Sequence, residues 1–570
     1  MSFNNKHGEG AQGKWRQTRM TLNFTPRGIP DLSPLGARSP LLSALLRLRG
    51  IDTEEAAARF LSPSLKDLYD PFLLPGMRAT VDLLREAIAR QDPILVWGDY
   101  DADGVCAASI LLETLREEGA RADYRLPSRH SEGYGLNESG VREAAGKYRL
   151  LITVDCGISA VEEVALARSL GVKVIVTDHH NLPPELPDAD AVVSPLLGDF
   201  YPCPFLCGAG VALKICQALQ GLPGVEKRLD LAAIATVADV VPLLDENRII
   251  VREGLARLEN TRRPGLKALF ASAGVSRPYT SDHLAFRIGP RLNAAGRLED
   301  AAPAAELLLT EDPAVGEELA KKLEDLNARR QSEERSITAQ AVKQVESQPD
   351  FAASRALVVS GEWNPGLVGL SAGRLCERYY RPAVALSVAG DTAAGSCRSI
   401  PGVNIFEMLQ RCEDLLIRFG GHAQAAGLTL RTADIPAFRE RLSEVIREVC
   451  PDSVFRREMA YDLEIPFRSW NEESFASLSL LEPTGCGNPP PVFLLSGAAV
   501  QAMRRVGRDA SHLQLTVLDR DNALVKGIAF SQGDAADRPW TDADLLYKPI
   551  LNEFRGRRTI EAQVFALKDS

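Results

Sequence analysis

The run Ile94-Leu95-Val96-Trp97 leads directly into Gly98-Asp99-Tyr100-Asp101-Ala102-Asp103-Gly104. Four consecutive apolar residues fit a strand covered on both faces. Val105 to Glu118 then carries apolar residues on one side, the pattern of a helix. The arrangement recurs twice. Leu150 to Val154 runs into Asp155-Cys156-Gly157, and the β-branched run Val172 to Val176 runs into Thr177-Asp178-His179-His180, with a helical stretch at Ala160 to Leu170 between them. Strands alternating with helices indicate βαβ units and a mostly parallel sheet. In an open α/β sheet, ligands bind beyond the carboxyl ends of the strands, so three strands deliver acids and imidazoles to one edge.

A single Asp after a strand is commonly a helix cap or turn residue, and that reading suffices for Asp99 or Asp178 alone. It does not account for Asp101, Asp103, Asp155 and His179 together. Clustered carboxylates repel and take up protons unless a cation compensates them. Oxygen ligands with one or two imidazoles suit Mn²⁺ or Mg²⁺ better than a structural zinc. The chain has only seven His, two of them adjacent here.

Further out, Leu41 to Leu48 and Thr53 to Phe60 read as short helices and Ala232 to Val240 as a buried one. Asp312 to Ser347 is the strongest helical stretch, with Val315, Leu319, Leu323 and Leu326 as its apolar stripe; it reads as one long helix or two shorter ones. Ala356 to Val359 restarts an α/β pattern with helix Leu367 to Arg378 and strand Pro382 to Ser387. After Val454, the strand-like segments Val492 to Leu495, His512 to Val517, Leu524 to Phe530 and Ile560 to Ala566 fit a small β-barrel.

The 570 residues imply three to four domains. At 45% hydrophobic and 25% charged, the composition excludes collagen, coiled-coil rods and wholesale disorder. No apolar stretch reaches the length of a membrane span. Met1 to Gly13 lacks a signal-peptide core, so a cytoplasmic protein is expected. The ten scattered cysteines read as reduced, buried side chains. With a net charge of −10, any nucleic-acid site must be a local patch. The first 50 residues, with eight Lys/Arg against two Asp/Glu, form a basic arm that could meet phosphates.

Asp99-Tyr-Asp-Ala-Asp-Gly104, Val154-Asp-Cys-Gly-Ile-Ser159, Asp178-His179-His180 and Val237-Ala-Asp239-Val-Val resemble the four motifs of the DHH phosphoesterase superfamily. Within it, the chain resembles the RecJ exonucleases. Pro127-Ser-Arg129 with Glu132-Gly-Tyr-Gly135 carries that likeness, as do Gly289-Pro-Arg-Leu-Asn-Ala-Ala-Gly-Arg297 and Gly395-Ser-Cys-Arg-Ser399. Phe419-Gly-Gly-His-Ala-Gln-Ala-Ala-Gly427 and Tyr547-Lys-Pro-Ile-Leu-Asn-Glu-Phe-Arg-Gly556 extend it to the C-terminal part. Two positions depart from the pattern. Trp97 stands where small-molecule DHH phosphatases have a ligand His, and Asn364 stands where many RecJ proteins have His.

The resemblance implies an α/β protein with two α/β domains, DHH and DHHA1, joined by a long helix around a cleft, and a C-terminal oligonucleotide-binding (OB) barrel. The expected division is a lead-in at 1–75, the catalytic DHH domain at 76–260, a helical connection at 261–350, DHHA1 at 351–453 and the barrel at 454–570. It implies two Mn²⁺ or Mg²⁺ ions on Asp101, Asp103, Asp155, His179 and Asp239, with His180 and Asp99 as the catalytic pair and His180 acting at the scissile phosphate. Arg129, Arg297, Ser396, Arg398, Gly420, Gly421 and His422 are expected to hold the strand. Phe530, Tyr547, Phe554 and Arg555, Arg557 and Arg558 are candidates on the barrel. The implied activity is 5′→3′ hydrolysis of single-stranded DNA to mononucleotides in recombination and repair. The expected enzyme is a monomer acting alongside a RecQ-type helicase and single-strand-binding protein. The alternatives are a small-substrate DHH phosphoesterase acting on nanoRNA or nucleotides, which typically lacks the barrel, and an inactive nucleic-acid clamp, which would have lost metal ligands.

Overall fold

The computed structural model describes residues 22–129, 132–348, 351, 353–554 and 556–570. It divides into two compact units. One comprises Arg27–Glu333 with Tyr461–Ser570, the other 22–26 with Glu334–Ala460. The chain passes from the first to the second inside a single helix, Pro313–Glu346, of 34 residues. Of its expected apolar stripe, Leu319, Leu323 and Leu326 are buried, while Val315 is exposed.

The first unit contains a five-stranded, wholly parallel sheet. Its spatial order is Ala122–Arg125, Ile94–Trp97, Leu150–Thr153, Lys173–Thr177 and Ala191–Val193. Numbered along the chain this is 2-1-3-4-5, so the strand order reverses between Ile94–Trp97 and Leu150–Thr153. That switch point opens a crevice beyond the strand ends, and it is where Asp99 to Asp103 and Asp155 emerge. Helix Ala102–Glu117 packs along the helical stretch Gly208–Ala238, which is broken into two helices at Gly221 (φ 67°), and most of both is buried.

The same unit holds a closed five-stranded barrel. Phe493–Val506, His512–Leu518, Leu524–Ala529, Arg557–Asp569 and Asp542–Phe554 pair in turn, and the last pairs back to the first. Its interior is shared. Leu42, Leu45, Leu46 and Leu61, from helices Pro40–Arg47 and Glu54–Leu61, belong to the same core as Leu463, Phe493, Leu515, Leu545 and Tyr547.

The second unit carries a mixed sheet in the order Arg418–Gly421, Ala425–Arg431, Thr392–Arg398, Ala383–Ala389, Leu357–Gly361. Only the last pair is parallel. All ten cysteines are free, and nine are buried. No helix among the described residues is long and apolar enough to cross a membrane.

Candidate metal centre

The acids reach one place because each is fixed by the turn that carries it. Asp101 caps helix Ala102–Glu117 from an extended backbone, accepting the N–H groups of Asp103 at 2.9 Å and Gly104 at 3.1 Å. A Cβ on Gly104 would lie 2.6 Å from the Asp99 backbone, so only glycine lets this turn close. Asp103 is buried and accepts from two N–H groups, Gly208 at 2.6 Å and Ala209 at 2.8 Å. These open the first helix of the stretch Gly208–Ala238, where unpaired N–H groups and the helix dipole favour an anion. Asp155 sits in the left-handed region at φ 60°. Gly208 leaves room for it, since a Cβ there would come within 2.4 Å of the Asp155 Cβ. Asp239 ends the second helix of this stretch, beyond the break at Gly221, where a carboxylate is disfavoured by the dipole unless a cation stands near.

His179 Nε2 lies 3.0 Å from Asp155 Oδ1 and 3.7 Å from both Asp103 Oδ2 and Asp239 Oδ2. Three overlapping sets bring ligand atoms within 4.8 Å of one another: Asp103, His179 and Asp239; Asp99, Asp101 and Asp155; and Asp155, His179 and His180. Asp155 and His179 each belong to two sets. Burial pushes Asp99, Asp101, Asp155 and Asp239 above the usual carboxylate range, and their neighbours' charges push them further. Burial also lowers His179, favouring the neutral imidazole. Asp99 Oδ1, Asp155 Oδ1 and His179 Nε2 are buried without a hydrogen-bond partner. Such orphans are costly. Carboxylate oxygens around a neutral imidazole, with their lone pairs unspent, fit Mn²⁺ or Mg²⁺.

His180 is held differently. Its Nδ1 lies 2.7 Å from Asp178 Oδ1. Buried Asp178 also accepts the main-chain N–H groups of His179 at 2.8 Å, His180 at 3.1 Å and Ile158 at 2.9 Å. Burial alone would lower His180, but the hydrogen bond and charge of Asp178 outweigh it and lift the imidazole to about 9.

Arg129 lies over the Tyr100 ring, 5.4 Å from its centroid. Arg297 is on helix Gly289–Leu298, which is fastened to the acidic turn at two points. Asn293 Oδ1 accepts the Ala102 N–H at 2.8 Å. Gly296 abuts the Tyr100 carbonyl so closely that a Cβ would lie 2.4 Å from it. Asn293, Gly296 and Asp178 are visible as motif letters, but their service to neighbouring residues is a long-range property that the letters do not carry.

The other unit assembles its own group. Strand register aligns Gly420 with Gly427 and Gly427 with Ser396, while Arg398 Nη1 donates to Ser396 Oγ at 2.8 Å. Gly369, at the start of helix Val368–Tyr379, faces Ser396 Oγ and Arg398 Nη2. Ser396, Arg398, Gly420 and Gly421 therefore share one sheet. His422 follows in the hairpin, its N–H donating to Ala425 O at 2.8 Å. Gly420 and Gly421 lie in strand Arg418–Gly421 rather than in a free loop.

Trp97 is fully buried, with Nε1 donating to Gly135 O at 3.3 Å, and so serves the core. Asn364 caps a turn, its Oδ1 accepting from Gly366 N at 2.8 Å. On the barrel, Tyr547 is buried, its hydroxyl accepting from Trp470 Nε1 at 2.9 Å. This removes it from the candidate strand contacts and places it in the barrel core. Phe530 is exposed and meets His512 edge-on. Arg557 and Arg558 are exposed, with Arg558 paired to Glu553. Arg555, the Phe554 side chain and the basic arm as far as Thr21 lie outside the described residues.

Residues 93–238 match the DHH family N-terminal domain, 351–448 the DHHA1 domain and 461–565 the RecJ OB domain. The chain is 41% identical over 528 residues to the single-stranded-DNA-specific exonuclease RecJ of Bacillus subtilis, covering 91% of this chain and 67% of that protein. It is 35% identical over 574 residues to the Escherichia coli protein of the same name, covering 95% and 98%. The crystal structure of RecJ in complex with Mn²⁺ from Thermus thermophilus superposes with a TM-score of 0.83 at 34% identity, covering 97% of this chain and 80% of that one. With the acids gathered at the switch point of a parallel sheet, and this likeness running through both units, the chain belongs to the RecJ family of the DHH phosphoesterases.

Proposed function

We propose that this chain is a metal-dependent exodeoxyribonuclease that hydrolyses single-stranded DNA from the 5′ end, releasing 5′-mononucleotides. The observation that carries it is the convergence of three buried, unpartnered ligand atoms, on Asp99, Asp155 and His179, within a ring of carboxylates. The relatives' names supply the substrate, single-stranded DNA.

On this reading Asp101, Asp103, Asp155, His179 and Asp239 hold two divalent ions, with Asp99 beside them. When bound, such ions supply Lewis acidity and neutralise the charge of the attacking and leaving oxygens. His180, held by Asp178, presents a protonated imidazole to the scissile phosphate and stabilises the charge that develops there. Arg129 and Arg297 bind phosphate oxygens, for which the guanidinium fork is suited. Ser396, Arg398, Gly420, Gly421 and His422 hold the strand in the DHHA1 region, and exposed Phe530 stacks on bases. Residues 76–260 thus carry the chemistry, while 351–453 and 454–570 bind the strand. The family resemblance extends this to a cytoplasmic monomer in recombination and repair, fed by a RecQ-type helicase and by strands coated with single-strand-binding protein.

The test is a time course on 3′-labelled, 5′-phosphorylated single strands with Mn²⁺ or Mg²⁺, alongside duplex, 5′-blocked strand and Asp103→Ala. Progressive shortening that fails in all three comparisons is the expected result. Release of phosphate from nucleotides with intact strands would overturn it in favour of a small-substrate phosphoesterase. Tight binding without cleavage under either metal would overturn it in favour of a clamp.

A further inference from the structure

The motif Glu132-Gly133-Tyr134-Gly135 has no part in the chemistry above, and its geometry gives it one. Tyr134 stands between two glycines in the left-handed region, Gly133 at φ 87° and Gly135 at φ 70°. The turn is clamped on both sides. Glu132 takes a hydrogen bond from Arg125 at 3.0 Å, and the Gly135 carbonyl accepts from buried Trp97. Tyr134 Oη lies 3.2 Å from the Asp155 main-chain carbonyl and 3.3 Å from His180 Nδ1. The ring meets His180 edge-on at 5.9 Å and Tyr100 at 6.4 Å.

A phenol has one hydrogen, which it keeps at neutral pH, and a carbonyl oxygen only accepts. The Tyr134 hydroxyl therefore donates to Asp155 O and turns its lone pairs toward His180. His180 Nδ1 then faces two acceptors, Tyr134 Oη and Asp178 Oδ1, and both require a hydrogen on Nδ1. A second ring nitrogen without such a partner is free to act elsewhere.

We propose that Tyr134 is a positioning residue whose hydroxyl, anchored on the Asp155 carbonyl, holds the His180 ring with hydrogen on Nδ1 and Nε2 directed to the scissile phosphate. The proposal rests on the reading of His180 given above. One hydroxyl thereby ties the imidazole to the backbone of the central carboxylate, so the two reacting elements keep a fixed separation. Asp178 by itself supplies one point of attachment, about which the ring can pivot. Tyr134 supplies the second, from a different strand connection.

The experiment compares wild type, Tyr134→Phe, His180→Ala and the double variant, measuring kcat and KM on 5′-phosphorylated single strands with Mn²⁺. Histidine ¹⁵N shifts of the full-length protein are recorded in Mg²⁺, where seven His give few signals. Losing an outer partner of this kind costs about tenfold or more. Tyr134→Phe is expected to lower kcat by about that factor with KM unchanged. It should cause no further loss when added to His180→Ala, and the His180 Nδ1 signal should move, because that N–H loses one of its two acceptors. An unchanged kcat, or a loss that multiplies with that of His180→Ala, would overturn the proposal. So would a raised KM at constant kcat, which would make Tyr134 a strand contact. Wild-type kcat in His180→Ala would overturn the role of His180 itself, an outcome distinct from a failure of Tyr134 alone.

Discussion

Asp155 combines two unfavourable conditions, a left-handed backbone and a buried carboxylate oxygen without a hydrogen bond. Each is sustained only where the surroundings impose it. Here the imposing neighbour is Gly208, whose missing Cβ is the space that Asp155 occupies. Gly208→Ala should therefore push the carboxylate out of the cluster and weaken Mn²⁺ binding by tenfold or more, on the order of 1.4 kcal/mol. Calorimetric titration checks this, and wild-type affinity would refute it. Asp155→Asn should go further. It removes a charge shared by two candidate sets and should abolish strand cleavage under either metal. Residue letters announce these acids plainly, since an Asp after a buried strand is conspicuous. The glycines that make room for them are not legible, because the atom each excludes belongs to a residue far away in sequence.

At the scale of elements, legibility follows contrast. The strands at 94–97, 150–153 and 173–177 are built on the apolar runs 94–97, 150–152 and 174–176, and the 34-residue helix carries a clear period. The hairpin Arg418–Gly421 and Ala425–Arg431 does not read as strands because it is Gly- and Ala-rich and alternates only over Leu428 to Arg431. Tyr547 misleads for the opposite reason, an aromatic near a basic cluster that in fact closes the barrel interior. The junction made by Arg248 is equally invisible. This buried residue of helix Asp245–Leu258 donates to five main-chain carbonyls, those of Phe60, Leu480, Leu481, Glu482 and Pro483, and covers the Phe60 ring at 3.8 Å. Arg248→Met leaves those carbonyls without their donor and should cost about 3 kcal/mol or more. Arg248→Lys, with a single nitrogen, should recover only part of that. Urea midpoints of the two variants check the ranking, and equal midpoints would refute it.

For the whole molecule, every carboxylate of the candidate centre belongs to the unit of Arg27–Glu333 and Tyr461–Ser570. A ligand stabilises what it binds. Mn²⁺ at about 100 times its dissociation constant adds about 2.7 kcal/mol, a rise of about 3 °C for a unit of this size. Scanning calorimetry should show that rise in one transition, reversed by chelation, with the other transition unmoved. A shift shared by both would place the ions elsewhere. The barrel core has a different consequence, one of timing. Leu42, Leu45, Leu46 and Leu61 share their core with Leu35, Ala44 and Ala57 nearby, but most of it comes from residues from Leu463 onward. At ribosomal rates of about 5–20 residues per second, a gap of about 400 positions separates the emergence of the two halves by roughly 20–80 s. During that interval the apolar faces of the first two helices lack most of the core they join, a surface of the kind that holding chaperones bind.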